Sequence, residues 1–115
     1  MKSLFECNHL AYLERCLQLK IRIRLFTSLR ELVGKRELEF EATHSDKPII
    51  VSILLELLAE RYGREFRRYV YDESGKVRDY LQFLVNGRSI TQLEGFETRL
   101  KENDLVAIIP PVGGG

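Results

Sequence analysis

Cysteine is scarce in this sequence of 115 residues, with Cys7 and Cys16 its two examples. That scarcity excludes a fold stapled by a disulfide framework and points to a reducing compartment, so a cytoplasmic location is expected. Charge of one sign is not in excess either. Eighteen basic and 17 acidic side chains leave a formal net charge of +1, which gives no case for a nucleic-acid partner. Long apolar runs are missing. Residues 1–19 are interrupted by Glu6, His9, Glu14 and Arg15 and hold no signal-peptide core. Nothing elsewhere approaches the roughly 20 apolar residues of a transmembrane helix, and no membrane partner is expected. The chain also lacks a nucleophile elbow, a phosphate-cradling glycine loop and a paired metal motif. An independent enzyme and a metal site are therefore not expected. Cys7, His9 and Cys16 stand too irregularly to read as ligands.

What is present describes one ordinary globular domain, with 44% hydrophobic and 30% charged residues. From Lys20 to Phe26, Ile21, Ile23 and Leu25 fall at every second position, the period of a strand with one face on a core. Lys20, Arg22 and Arg24 fill the alternate positions as a solvated face. Ser28 to Glu31 has capping-box spacing, which predicts a short helical turn ending at Gly34. Leu38, Phe40 and Ala42 then alternate with Glu37, Glu39 and Glu41, a second strand able to pair antiparallel with the first.

After Pro48, the positions Val51, Leu54, Leu55, Leu58 and Tyr62 make one helical stripe that Gly63 stops. Ile50, Ile53 and Leu57 lie on the opposite side, so something besides the sheet is expected to cover them. Arg64, Arg67 and Arg68 form a local basic cluster, and Phe66 and Val70 anchor an irregular stretch. Residues 72–76 carry turn chemistry. Leu81, Phe83 and Val85 alternate up to Asn86-Gly87, a tight-hairpin signal. Leu105 to Ile109 reads as a central strand buried on both faces. The order β-β-α-β-β predicts an α+β β-grasp domain over residues 20–109, a mixed sheet of four or five strands around one main helix.

Pro110 and Pro111 end pairing and favour extended backbone, which aims residues 110–115 away from the sheet as a flexible tail. Gly113, Gly114 and Gly115 follow Val112. Lacking side chains, they suit a channel too narrow for other residues, and the terminal carboxylate is the chemical group at the tip. An ionised carboxylate is a poor electrophile; adenylation by ATP would make it one that a sulfur or nitrogen nucleophile can attack. An ordinary disordered terminus is the plain alternative.

The ending DLVAIIPPVGGG at 104–115, the segment RELVG at 30–34, and the helix phrase with Leu54, Leu55, Leu58, Tyr62 and Gly63 resemble the small subunit of molybdopterin synthase, a ubiquitin-like sulfur carrier. The likeness covers about residues 21–115. It implies that an E1-like adenylyltransferase activates Gly115 with ATP and that a sulfur donor converts the adenylate to a thiocarboxylate. The large subunit of molybdopterin synthase would take up the tail, and catalytic side chains would sit there. The sulfur would pass to a cyclic pterin precursor, forming the dithiolene that holds molybdenum or tungsten. No cofactor is expected on this chain itself. By the same likeness Gly114 permits close backbone approach, and Arg30, Phe83, Pro110, Pro111, Val112 and Gly113 are candidates for partner docking; core packing is the stronger alternative for Phe83. Two other readings share the fold: a modifier joined to lysine amines through the same carboxylate, and a non-reactive binding module.

Three departures from the resemblance matter. Ile50 stands where a capping Thr is common, so Ser45, Asp46 or water is expected to cap the helix. Tyr71 to Asp79 is long enough for an extra hairpin. Residues 1–19 have no counterpart: Leu10, Leu13 and Leu17 at helical spacing suggest a cover for Ile53 and Leu57, in the same domain or on a neighbouring copy, and a disordered tail is the alternative.

Overall fold

Alternation in the sequence becomes one mixed sheet in the computed structural model, which describes residues 16–45 and 48–111. Strands β1 (Cys16–Leu25) and β2 (Glu37–Ser45) form an antiparallel hairpin, and β3 (Gln82–Val85) and β4 (Arg88–Ser89) form another. Between them lies β5 (Leu105–Ile109), parallel to β1 and antiparallel to β3, so the order is β2-β1-β5-β3-β4. The expected mixed sheet and central last strand are both present. The Asn86-Gly87 turn has φ of 53° and 85°, the paired positive values of a two-residue hairpin loop. Asn86 also ties this hairpin to the start of β5, since its amide donates to Asp104 at 2.9 Å and its carbonyl accepts from the Leu105 N–H at 2.9 Å.

Helix α1 (Thr27–Val33) follows β1, and α2 (Val51–Tyr62) crosses the sheet. Its Val51, Leu54, Leu55 and Leu58 are buried with Ile21, Ile23, Leu25, Val106 and Ile108 in one core. Gly34, at φ 90°, ends α1 by donating to the Arg30 carbonyl. The capping box is not formed. Helix α1 starts at Thr27 without a side-chain cap, which places Ser28 inside the helix. Helix α2 starts after Ile50, whose side chain makes no cap; Ser45 belongs to β2, and Asp46 lies outside the described residues. The first α2 donor is met from far along the chain instead, by the Val51 N–H bonding the Thr98 carbonyl at 3.1 Å while Leu100 donates to Ile49 at 2.9 Å.

The stretch after Gly63 is a third helix, α3 (Arg64–Val70), rather than irregular chain. Gly63, at φ 86°, bends one helix into the next. Helix α3 packs on α1 and α2 and buries Phe66 and Val70. The expected additional hairpin is small: Tyr71 bridges Val77, and Asp72 donates to the Lys76 carbonyl at 2.7 Å. Strand β1 begins at Cys16, four residues before the expected domain start at residue 20, so Leu17 is strand and not part of a helical cover. The remainder of that extension, including Leu10 and Leu13, lies outside the described residues.

Candidate functional site: the open sheet face and the root of the tail

Strand register places the tail. In the parallel pair Leu25 sits beside Ile108, and in the antiparallel pair Gln82 sits opposite Ile109. The end of β1, the start of β3 and the end of β5 therefore meet at one margin of the sheet. From that margin β1 leads into α1 and β5 into Pro110 and Pro111, which are half-buried and exposed. Arg30, exposed on α1, stands on the connection leaving the same margin. Proline has no N–H to continue the ladder, so pairing stops where the tail starts. Val112, Gly113, Gly114 and Gly115 lie outside the described residues.

Phe83 takes the core position that was the stronger of its two readings. It is 2% exposed, opposite Ile108 in the core. Its ring meets Phe96 edge-on at 5.5 Å, and Phe96 is the partner that reaches solvent.

The sheet face away from α2 divides into two halves. Across β1 and β2, Lys20, Arg22 and Arg24 stand opposite Glu41, Glu39 and Glu37, and the Arg24 guanidinium approaches Glu37 at 2.9 Å. Opposite charges facing across strands contribute roughly 0.2–1 kcal/mol per pair. They also make this half largely self-neutralising. Across β5 and β3 the same face carries Leu105, Ala107, Ile109 and Leu84, with Ala107 directly opposite Leu84. The expectation of two covered faces for the last strand holds at its middle, where Ala107 is buried, and fails at its ends. Leu105 and Ile109 are in fact half-buried. The signal for this strip was available: when one layer of helix covers one side of a sheet, a strand apolar at every position must show every second side chain on the other.

Among the described residues two titrating groups are displaced, both in the segment from Tyr71 to Asp79. Hydrogen bonds from Ser74 and from the Lys76 N–H hold the Asp72 carboxyl below its ordinary value, in a turn that fixes this loop. Burial, together with hydrogen bonding and charge from Glu56, pushes the Tyr71 phenol up to about 12 against the opposing pull of Arg67. The phenol is neutral in the ordinary pH range and serves packing rather than acid–base chemistry. Stability from keeping it neutral is complete below its ordinary value of 10 and is lost as pH rises through about 12. Ultraviolet titration is expected to show Tyr71 ionising late and together with alkaline unfolding. A Tyr71→Phe variant is expected to lose that late phase.

Among the described residues no group of His, Cys, Asp or Glu is arranged to hold a metal, and no helix is long and apolar enough to cross a membrane. What the geometry offers is a surface and a strand end. A β-grasp sheet with one free face, its central strand running out into a glycine-ended tail, is the architecture of the ubiquitin-like carriers and modifiers. The chain belongs to the ThiS family, which it matches over residues 23–115. It is similar to small archaeal modifier protein 3 of Haloferax volcanii, 32% identical over 97 residues, covering 84% of this chain and the whole of that relative. A protein of Archaeoglobus fulgidus provisionally described as a sulfur carrier is 30% identical over 95 residues, 83% of this chain and 98% of that one. Among solved structures, a Pyrococcus furiosus protein provisionally assigned as molybdopterin converting factor, subunit 1, superposes with a TM-score of 0.60 at 28% identity, covering 82% of this chain and 99% of that one.

Proposed function

We propose that this member of the sulfur-carrier and modifier family serves as the small subunit of a molybdopterin synthase, carrying sulfur on the carboxyl group of Gly115. The observation that carries the reading is the path of β5, whose last residue runs into Pro110 beside an apolar strip. A partner seated on that strip would receive the tail already aimed at it. An E1-like enzyme would transfer AMP from ATP to the carboxylate with loss of pyrophosphate, and hydrosulfide would displace AMP to leave the thiocarboxylate. Gly113 and Gly114 keep the approach to both partners thin. The likeness to the Pyrococcus furiosus protein supports the pterin pathway, and that to the Archaeoglobus fulgidus protein supports carriage of sulfur.

The Haloferax volcanii relative favours a second reading, conjugation to lysine amines through the same activated carboxylate. Intact-mass analysis of protein from its native host separates the two. A gain of about 16 Da, sulfur in place of oxygen, is expected for the carrier. Isopeptide-linked ladders without that mass would overturn the carrier reading in favour of the modifier.

Docking and chemistry are separable. Ala107→Arg places a long cation in the apolar strip and is expected to weaken binding of the synthase large subunit about tenfold or more by leaving a charge poorly solvated at the contact. The strip is dispensable if calorimetry gives an unchanged Kd for a variant that retains its fold by circular dichroism.

A further inference from the structure

The outward side of α2 is not finished by the rest of the described fold. Ile53 and Leu57 point away from the buried stripe and remain half-buried. The small hairpin of residues 71–77 folds beside them and brings Tyr71 and Val77 alongside. Between these parts lies a groove of about 340 Å³, lined by Ser52, Ile53, Leu57, Tyr71 and Val77 and edged by Glu56 and Glu60.

We infer that residues 1–15 of this same chain occupy that groove, packing their apolar side chains over Ile53 and Leu57. Connectivity is the first argument. Cys16 pairs with Ser45 at the base of the β1–β2 hairpin, and five residues later Ile50 precedes α2. Five residues span at most about 18 Å, and a fifteen-residue segment reaches up to about 50 Å when extended. The start of α2 is thus within reach of the chain entering β1.

Composition is the second argument. Met1, Leu4, Phe5, Leu10, Tyr12 and Leu13 put six large apolar side chains into this segment, enough to remove both groove and segment from water. The third is dispensability for the shared fold: the family match begins at residue 23, and the whole Haloferax volcanii relative aligns within 84% of this chain. A segment added to a domain whose open sheet face already has a use is placed without obstruction on the opposite layer. The proposal does not depend on sulfur chemistry at Gly115.

A nitroxide attached to Cys7 in a Cys16→Ser variant of the full chain tests it. The label is expected to broaden the methyl signals of Ile53, Leu57 and Val77 more strongly than those of Leu84 and Ile109 on the other side of the sheet. Equal broadening at both sets, or a maximum at Leu84 and Ile109, overturns the proposal. Labelled unenriched chain mixed with enriched unlabelled chain is expected to cause no broadening; an effect there would assign the groove to a second copy. Ile53→Asp, at a half-exposed position and with its fold checked by circular dichroism, is expected to lower the docked-to-free ratio about tenfold or more. A pattern unchanged by that variant counts against the groove as the docking place.

Discussion

A chain lacking Gly115, or both Gly114 and Gly115, is expected to form no acyl-adenylate and to carry no sulfur, although it folds as well as the full chain. The loss should be complete because the proposed activation needs the carboxylate to reach the reacting atoms of another protein. Removing one residue withdraws it by about 3.5 Å, whereas reacting atoms must come within about 3–3.5 Å of each other. Stability should not follow. The buried hydrophobic residues run from Ile21 to Ile108, so the melting temperature should move by no more than about 1 °C, as for a change outside the core. Pyrophosphate release in the presence of the activating enzyme measures the first effect and calorimetry the second. Undiminished turnover by the shortened chain would end the proposed role of the tail.

Phe66→Ala is expected to cost about 3–5 kcal/mol, because it empties a fully buried aromatic site where partial collapse leaves a cavity. The ring is 1% exposed, lies 6.3 Å from that of Tyr62, and belongs to the helix that packs on both α1 and α2. Against a total of about 5–15 kcal/mol, such a loss should lower Tm by more than about 10 °C in a domain near 100 residues. Tyr80→Ala, at a side chain 52% exposed, should fall within about 0.5 kcal/mol of the parent. Equal melting of the two variants would show that α3 adds little to the core.

Strands whose one face is buried were legible because period-two alternation survives any tertiary context: Ile21, Ile23 and Leu25 against Arg22 and Arg24 specify a face as well as a strand. The Asn86-Gly87 turn was legible for a steric reason, since few residue pairs accept two positive φ values. Helix α3 was hidden by its brevity. Phe66 and Val70 are four apart, a helical spacing, but seven residues without a capping side chain carry too little pattern to outweigh the turn that Gly63 suggests. The α2 cap was invisible because Thr98 lies 47 positions along the chain from Val51, and local rules search only neighbours. At the site, the strand feeding the tail and the prolines that stop it could be read directly. The apolar strip required knowing which strands flank β5, whereas the burial of Phe83 follows from its alternation with Leu81 and Val85.

The place of β5 between β1 and β3 also orders the protein's manufacture. Until residues 105–109 are made, the two hairpins share no strand, and the parallel pairing of the earliest and latest strands must close nearly the whole polypeptide into a loop. Closure of the sheet is therefore a late event in the making of this domain. A product that stops before residue 105 lacks the strand that joins β1 to β3 and leaves the facing edges of both hairpins unpaired.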